Sequence, residues 1–138
     1  MGCAPRRAPT SCTSNIIDKK KHCVLVVKED GTPIRVFGKK GKKSGELYTP
    51  CGIALSEGRL YITDRADRVQ VFETNGTYIT TYGSGEGSGP SNFDTPRGLT
   101  VVGSIVYVAD FYNGRIQRLD KKTGEFLSPI GSWGKGKG

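Results

Sequence analysis

One stretch of about 46 residues occurs twice in this chain, and this repeat limits the possible fold more than any other sequence feature. Residues 47–64, LYTPCGIALSEGRLYITD, match residues 93–110, FDTPRGLTVVGSIVYVAD, at a constant offset. The match continues after small insertions, and an earlier partial copy begins near residue 15. Self-similarity over this length predicts an architecture built from repeated units.

Each copy is predicted to form four short strands. In the second copy these are residues 52–56, 59–64, 68–73 and 77–82, which are rich in Ile, Val, Tyr, Thr and Phe and bounded by Gly, Asp or Asn. Four-stranded units with a period near 46 are typical of propeller blades, whereas the coils of a β-solenoid are much shorter. An unrelated all-β sandwich does not explain the fixed offset. We therefore expect an all-β propeller.

The recurring residues resemble the pattern of NHL repeats. The third copy carries that pattern at Pro96, Gly98, Val106, Tyr107, Val108, Asp110, Asn113, Arg115, Ile116, Gln117, Gly124 and Gly131. The second copy has Asp67 where the pattern has Asn, and the first has Cys23 where the arginine belongs. The resemblance, to the propeller of tripartite-motif NHL proteins, covers about residues 15–138. It implies an NHL-type β-propeller.

The predicted organisation is a disordered tail at residues 1–14 followed by an incomplete propeller at residues 15–138. The repeats span about 15–46, 47–92 and 93–138. They predict two full four-stranded blades after a partial first blade that begins past its first two strands. Because propellers close with about 4–8 blades, this count favours a piece of a larger protein. Closure by self-association through the open blade edges is the alternative.

Residues that recur between copies are interpreted as structural. They are Asp18, Asp64 and Asp110 at the end of the second strand, Arg68 and Arg115 at the start of the third, and Pro50, Pro96, Gly52 and Gly98 in the first. We expect a hydrogen bond or ion pair to close the corner between strands two and three. A ring of charges that lines a site is the functional alternative.

The chain has a formal net charge of +8, and its basic residues cluster in particular loops. The loops after strands two and four of a blade open on one face. The predicted binding face comprises Lys19, Lys20, Lys21, Lys39, Lys40, Lys42, Lys43, Arg65 and Arg97, with the aromatic residues Phe111 and Tyr112. Basic groups interleaved with aromatic rings suit single-stranded RNA. An acidic protein partner, or a merely solvated face with a packed Phe111, are the other interpretations.

The sequence offers little for catalysis or metal binding. Its four cysteines, Cys3, Cys12, Cys23 and Cys51, form no C-x-x-C pair, and His22 is the single histidine. This spacing predicts reduced thiols, no zinc site and no cofactor. Propellers that resemble NHL repeats also occur in amidating lyases and gluconolactonase-type hydrolases. A propeller enzyme that needs a metal and further blades is therefore the alternative function.

We expect a non-catalytic binding or scaffold module whose partner is a protein or RNA. The resemblance also implies a parent protein of the ubiquitin-ligase type, although residues 1–138 carry no RING pattern. The chain lacks an apolar run near 18 residues, which predicts no membrane span. Residues 1–15 lack a signal-type apolar stretch, so a cytoplasmic location is expected. Gly2 beside Cys3 raises lipidation as an alternative to a disordered tail, but Arg6 stands where that motif has Ser or Thr.

Overall fold

The computed structural model describes residues 13–131, which form three antiparallel sheets. Blade one contains β1 (Thr13–Asp18), β2 (Cys23–Lys28) and β3 (Pro33–Phe37); blade two contains β4 (Pro50–Ser56), β5 (Arg59–Asp64), β6 (Arg68–Glu73) and β7 (Tyr78–Tyr82); blade three contains β8 (Pro96–Val102), β9 (Ile105–Asp110) and β10 (Arg115–Asp120). In each sheet the strands lie in sequence order, so every connection within a blade is short. This confirms the predicted incomplete all-β propeller.

Blade two is the complete blade within the described residues. Its four strands pair in the order β4-β5-β6-β7, and its boundaries agree with the predicted strands to within two residues. The register of β5 on β6 brings Asp64 opposite Arg68, and β9 on β10 brings Asp110 opposite Arg115. The fixed offset between the copies therefore corresponds to equivalent positions in neighbouring blades.

Within residues 13–131, blade one contains three of the four strands of the repeat, and the expectation that it begins after its first two strands was wrong. Strands β1 to β3 pair as β5 to β7 do, with Val24 opposite Phe37 where blade two has Val69 opposite Tyr82. The residues of β1 therefore form the second strand of the blade. Asp18 is equivalent in the repeat to Asp64, which ends the second strand of blade two, so the strand that ends at Asp18 is the second strand of blade one. β1 begins at Thr13, two residues before the predicted start of the repeats.

The fourth strand of blade three is reduced to two bridges, Ile116–Ile130 and Leu119–Phe126. These bridges correspond to the pairs Val69–Tyr82 and Phe72–Tyr78 of β6 and β7 in blade two. The backbone between the two bridges does not form a continuous strand. Pro129 lies in this interval, and proline has no N–H to donate to a sheet. The repeat is preserved here while one of its strands is interrupted.

The hydrophobic core consists of two layers, each between neighbouring blades. Val24 and Val26 of blade one pack with Leu60, Ile62 and Phe72 of blade two. The second layer joins the opposite face of blade two to blade three, through Tyr61, Val69, Val71, Val106, Val108 and Leu119. The central strands β5 and β6 thus contribute alternate side chains to different layers, as the two-residue period of a strand requires.

Gly52 permits the close approach of two blades. A Cβ atom added to this residue would lie 2.5 Å from the carbonyl oxygen of Arg97 in blade three. This geometry agrees with the interpretation of the recurrent Gly52 as a structural residue. No helix among the described residues combines the length and the apolar character that a membrane crossing requires. The predicted tail at residues 1–14, including the proposed lipidation, lies almost wholly outside the described residues.

Candidate functional site

The corner of blade two contains a buried ion pair. The carboxylate of Asp64 is fully buried and accepts hydrogen bonds from Nε and Nη2 of Arg68 at 2.9 to 3.2 Å. It also accepts from the backbone N–H groups of Tyr48 and Ala66, at 3.0 and 3.1 Å. These four donors satisfy a charge that would otherwise be costly to bury.

The guanidinium of Arg68 extends beyond its own corner. It donates to the carbonyl oxygens of Lys42, Lys43 and Glu46 at 2.7, 3.1 and 2.8 Å. These carbonyls belong to the connector between blades one and two, residues 38–49. The pair therefore fastens the chain that enters blade two, in addition to closing the loop between β5 and β6.

Blade three repeats this arrangement. Arg115 Nε donates to Asp110 at 2.8 Å, and Nη2 donates to the carbonyl oxygens of Gly89 and Asn92 at 2.8 and 3.1 Å. The carboxylate of Asp110 also accepts from the backbone N–H of Asp94 at 2.7 Å. Residues 84–95 connect blades two and three, so the same pair of residue types holds the equivalent connector.

One buried glutamine completes the attachment of each connector. Nε2 of Gln70 donates to the carbonyl of Glu46, and its Oε1 accepts from the N–H of Gly45 at 2.8 Å. Gln117 donates to the carbonyls of Pro90 and Asn92, both at 3.2 Å. The Arg-x-Gln recurrence was visible in the sequence, but its role was missed because the partners lie more than twenty residues away. We call each Asp, Arg and Gln set a connector clamp.

Blade one has no connector clamp of this kind. Cys23 and Leu25 occupy the positions of Arg68 and Gln70, and Asp18 accepts instead from the backbone N–H groups of Lys20 and Lys21, each at 3.0 Å. The three recurrent aspartates thus share a position but not a set of partners. Pro50 and Pro96 are both buried at the start of the first strand of their blades.

A second repeated contact joins adjacent blades at the residue before the third strand. Nδ1 of His22 accepts the N–H of Thr49 at 2.9 Å, and Oδ1 of Asp67 accepts the N–H of Thr95 at 2.8 Å. His22 and Asp67 both have positive φ, 56° and 62°. The equivalent residue in blade three is Gly114, which makes Asp67 the counterpart of this glycine and not of the family's asparagine.

Burial raises the pKa of the Asp67 carboxyl, and the hydrogen bond from the Thr95 N–H opposes that rise. The nearby acids Glu86 and Asp94 raise the pKa further, while Arg65 lowers it.

Every residue of the predicted binding face is exposed to solvent: Lys19, Lys20, Lys21, Lys39, Lys40, Lys42, Lys43, Arg65, Arg97, Phe111 and Tyr112. Within residues 13–131, none of these nine cations forms an ion pair with a carboxylate at 4.0 Å or less. The four lysines of residues 39–43 lie on the first connector, whose backbone Arg68 holds. Lys42 Nζ lies 4.8 Å from the centroid of the Tyr48 ring.

The two aromatic residues of the face contact each other and one arginine. The rings of Phe111 and Tyr112 have centroids 5.1 Å apart, and Arg97 Cζ lies 4.0 Å from the Phe111 centroid. Phe111 is 40% exposed and Tyr112 61% exposed. This pair of rings is therefore accessible, although one side of Phe111 is covered by a guanidinium.

Three cations of the face meet at one pocket of about 220 Å³, which is lined by Lys19, Thr49, Cys51, Arg65, Thr95 and Arg97. Each of the three blades contributes to it. The lining residues carry three positive charges and no carboxylate. We call this the three-cation pocket.

The cysteines differ in exposure. Cys23 is buried and Cys51 is half-buried; both are free thiols. Burial raises the pKa of the Cys51 thiol, against the opposing effect of Lys19 and Arg65. Cys3 and Cys12 lie outside the described residues. Within residues 13–131, no group of three His, Cys, Asp or Glu side chains is placed to hold a metal ion.

No family model matches the chain. Individual proteins do match it. The chain is 42% identical over 82 residues to RING finger protein nhl-1 of Caenorhabditis elegans, over 58% of this chain and 8% of that protein. It is 31% identical over 122 residues to human NHL repeat-containing protein 3, over 81% of this chain and 34% of that protein. The chain is also 31% identical over 128 residues to peptidyl-glycine alpha-amidating monooxygenase B of Xenopus laevis, over 83% of this chain and 15% of that protein.

Solved structures support the fold. The chain superposes on the hydrazine synthase of Kuenenia stuttgartiensis with a TM-score of 0.70 at 19% identity, covering 91% of this chain and 34% of that one. The superposition on the WD40 repeats of RRP9 has a TM-score of 0.70 at 13% identity and covers 90% of this chain and 36% of that one. The chain thus spans about a third or less of the relatives named here. The blades, the recurring residues and these relatives show that the chain belongs to the NHL-repeat β-propeller family and forms an incomplete propeller.

Proposed function

We propose that the chain is a non-catalytic binding module that presents one basic face to a polyanionic partner, and that this partner is single-stranded RNA. The observation that supports this most directly is the contact of Arg97 with Phe111, which adjoins Tyr112, beside cations that form no ion pair with a carboxylate in the part of the chain that the structure describes. Lysine and arginine pair with phosphates, while exposed rings stack with bases.

An acidic protein surface is the other partner that a basic face suits. It would use the lysines but would not need two adjacent exposed rings. The clustering of Arg97, Phe111 and Tyr112 favours RNA for this reason. The name of the relative nhl-1 includes a RING finger, and the chain covers 8% of that protein. We propose that this propeller acts in the cytoplasm as the binding part of a larger regulator of the ubiquitin-ligase type.

The test is a titration of labelled single-stranded RNA at two or more salt concentrations. Replacing Lys39, Lys40, Lys42 and Lys43 by glutamine should weaken the binding of all RNA sequences to the same extent. It should also make the plot of log binding constant against log salt concentration less steep, by roughly 0.7 in slope for each lost phosphate contact. The matched control replaces four exposed cations that lie outside the predicted face, Lys28, Arg35, Arg59 and Lys122. It should leave binding and slope nearly unchanged.

The aromatic residues require a separate variant. Tyr112→Ala should weaken RNA binding by about 1–3 kcal/mol without changing the salt slope, because stacking releases no counterions. If the wild-type chain binds RNA no more tightly than an unrelated protein of equal net charge, the RNA proposal fails. An acidic protein partner would then be the remaining candidate for this face.

We also propose that the chain associates with itself through its open sheet edges. Among residues 13–131, β1 is the edge strand of its sheet, and apolar side chains such as Ile16 and Val36 of blade one are 47% and 60% exposed. Unpaired edges of this kind favour pairing with another chain. Light scattering should give a mass above that of the 14.9 kDa monomer. A cooperative, well-folded monomer would contradict the proposal.

The match to an amidating monooxygenase supports a second candidate, a propeller enzyme completed by further blades. This candidate predicts that a divalent metal ion raises the thermal stability of the protein and that activity is lost with a chelator. Unchanged melting with and without chelator would count against it.

A further inference from the structure

We propose that the three-cation pocket binds a terminal phosphate monoester of single-stranded RNA. This inference rests on the proposed function and assigns a particular chemical group to one part of the basic face. The pocket differs from the surrounding lysine runs because it is concave and because side chains from all three blades meet there.

The pocket residues occupy positions that are equivalent from blade to blade. Lys19 and Arg65 each follow the recurrent aspartate of their blade, and Cys51 and Arg97 each follow the recurrent proline. At these equivalent positions the residue types change while the backbone framework is kept. The cations are therefore not required by the fold, as the thiol in place of a guanidinium at Cys51 shows.

Hydrogen bonds fix the backbones of the two arginines, and within residues 13–131 neither guanidinium donates a hydrogen bond or forms an ion pair. The N–H of Arg65 donates to the carbonyl of Tyr48 at 2.7 Å, and the carbonyl of Arg97 accepts from the buried hydroxyl of Thr63. The Arg97 guanidinium is further oriented by the Phe111 ring at 4.0 Å. Side chains that are positioned before binding lose less entropy when they bind a ligand.

The charge of the pocket favours a dianion over a monoanion. Its three cations face a lining without carboxylates, and a phosphate monoester carries about −1.5 to −2 at pH 7. An internal phosphodiester carries one negative charge, and both of its ester oxygens continue into the chain. A terminal phosphate needs only one exit from a pocket of about 220 Å³.

Arg97 connects the pocket to the aromatic pair. It lines the pocket and contacts the Phe111 ring, and Tyr112 lies beside Phe111 with 61% of its surface exposed. A terminal nucleotide can therefore place its phosphate among the cations and its base on Tyr112. The remaining nucleotides would extend across the lysine-rich connector.

The experiment compares two RNA oligonucleotides of one sequence, with a 5′-phosphate or a 5′-hydroxyl, and a third with a 3′-phosphate. Binding of at least one terminally phosphorylated form should exceed that of the hydroxyl form by about tenfold or more, since charge-assisted hydrogen bonds are among the strongest. Arg65→Gln with Arg97→Gln should abolish this preference, so that the phosphorylated and the hydroxyl RNAs bind the variant equally; both should bind it more weakly than wild type, because the two arginines also belong to the RNA-binding face. Lys28→Gln with Lys122→Gln is the matched control and should keep the preference.

The outcomes separate this inference from the function on which it rests. If all three RNAs bind equally and the arginine variant weakens them equally, the pocket is not a terminal-phosphate site, although the face binds RNA. If no RNA binds above the background of an equally charged protein, the proposed function fails as well. A serine-phosphorylated peptide that binds tightly while the RNAs do not would assign the pocket to a protein ligand and overturn the proposal.

Discussion

Blade two and blade one place the same aspartate at the same corner but use it differently. Asp64 binds Arg68, whose guanidinium reaches the connector from the preceding blade. Asp18 faces Cys23 and accepts two local N–H groups. In blade two the arginine and glutamine hold a connector that arrives from another blade, and within the described residues no such connector reaches blade one. The comparison indicates that the ion pair serves to join blades and not merely to close a turn.

The largest loss of stability is expected when the arginine of the blade-two ion pair is removed. Arg68→Met should destabilise the protein by about 3–5 kcal/mol, because it leaves the Asp64 charge buried without its partner. The measurement is urea unfolding followed by circular dichroism. Asp64→Asn combined with Arg68→Met should recover much of the loss, since it removes the unpaired charge and keeps an acceptor for Tyr48.

Replacement of the exposed Arg59 by methionine is the control for loss of a positive charge, and it should change the stability little. Equal losses for Arg59→Met and Arg68→Met would contradict the assigned role of the pair.

A smaller effect is expected from the glutamine of the clamp. Gln70→Leu copies the residue that blade one has naturally, and it leaves the Gly45 N–H and the Glu46 carbonyl without this partner. The cost should be about 1–3 kcal/mol in the free energy of unfolding. The reverse change in blade one, Leu25→Gln, should give no gain in stability. A stabilising Leu25→Gln would mean that the glutamine acts within its own blade.

The smallest effect concerns Asp67, at the second contact between blades. Its folded pKa is raised by burial, so the carboxyl favours folding in its protonated form and loses that advantage as the pH rises through the folded pKa. Asp67→Asn keeps an acceptor for the Thr95 N–H and does not titrate. Relative to this variant, wild type should therefore lose stability as the pH rises from about 4, the ordinary pKa of an aspartate. Urea unfolding of both proteins across this range is the test, and a difference of opposite sign would contradict it.

The fold could be predicted from the sequence because the repeat gives both the length of the structural unit and the positions of its strands. The offset between residues 47–64 and 93–110 fixes a common structure, and the Gly-bounded, β-branched stretches fix its strands. The interruption at Pro129 falls in the part of the third copy that matches least well. Repeats predict what all copies share, and they are least informative where a copy departs from the pattern.

The sites were harder to predict for a physical reason. A repeated arginine could be recognised, but the carbonyls of Lys42 and Glu46 that it binds have no side-chain signature in the sequence. The exposed cations of the face could be assigned to loops from their position in the repeat. The meeting of Lys19, Arg65 and Arg97 at one pocket required the angular arrangement of three blades, which the sequence does not contain.

Hydrogen exchange of the first connector tests most directly whether the clamp joins adjacent blades. The N–H groups of Gly41, Gly45 and Leu47 all bond within the connector or to Gln70. In Asp64→Asn combined with Arg68→Met, these amides should lose protection while those of residues 84–95, the connector to blade three, keep theirs. Unchanged protection at residues 41–47, or an equal loss in both connectors, would contradict the assignment of Arg68 as the link between blades one and two.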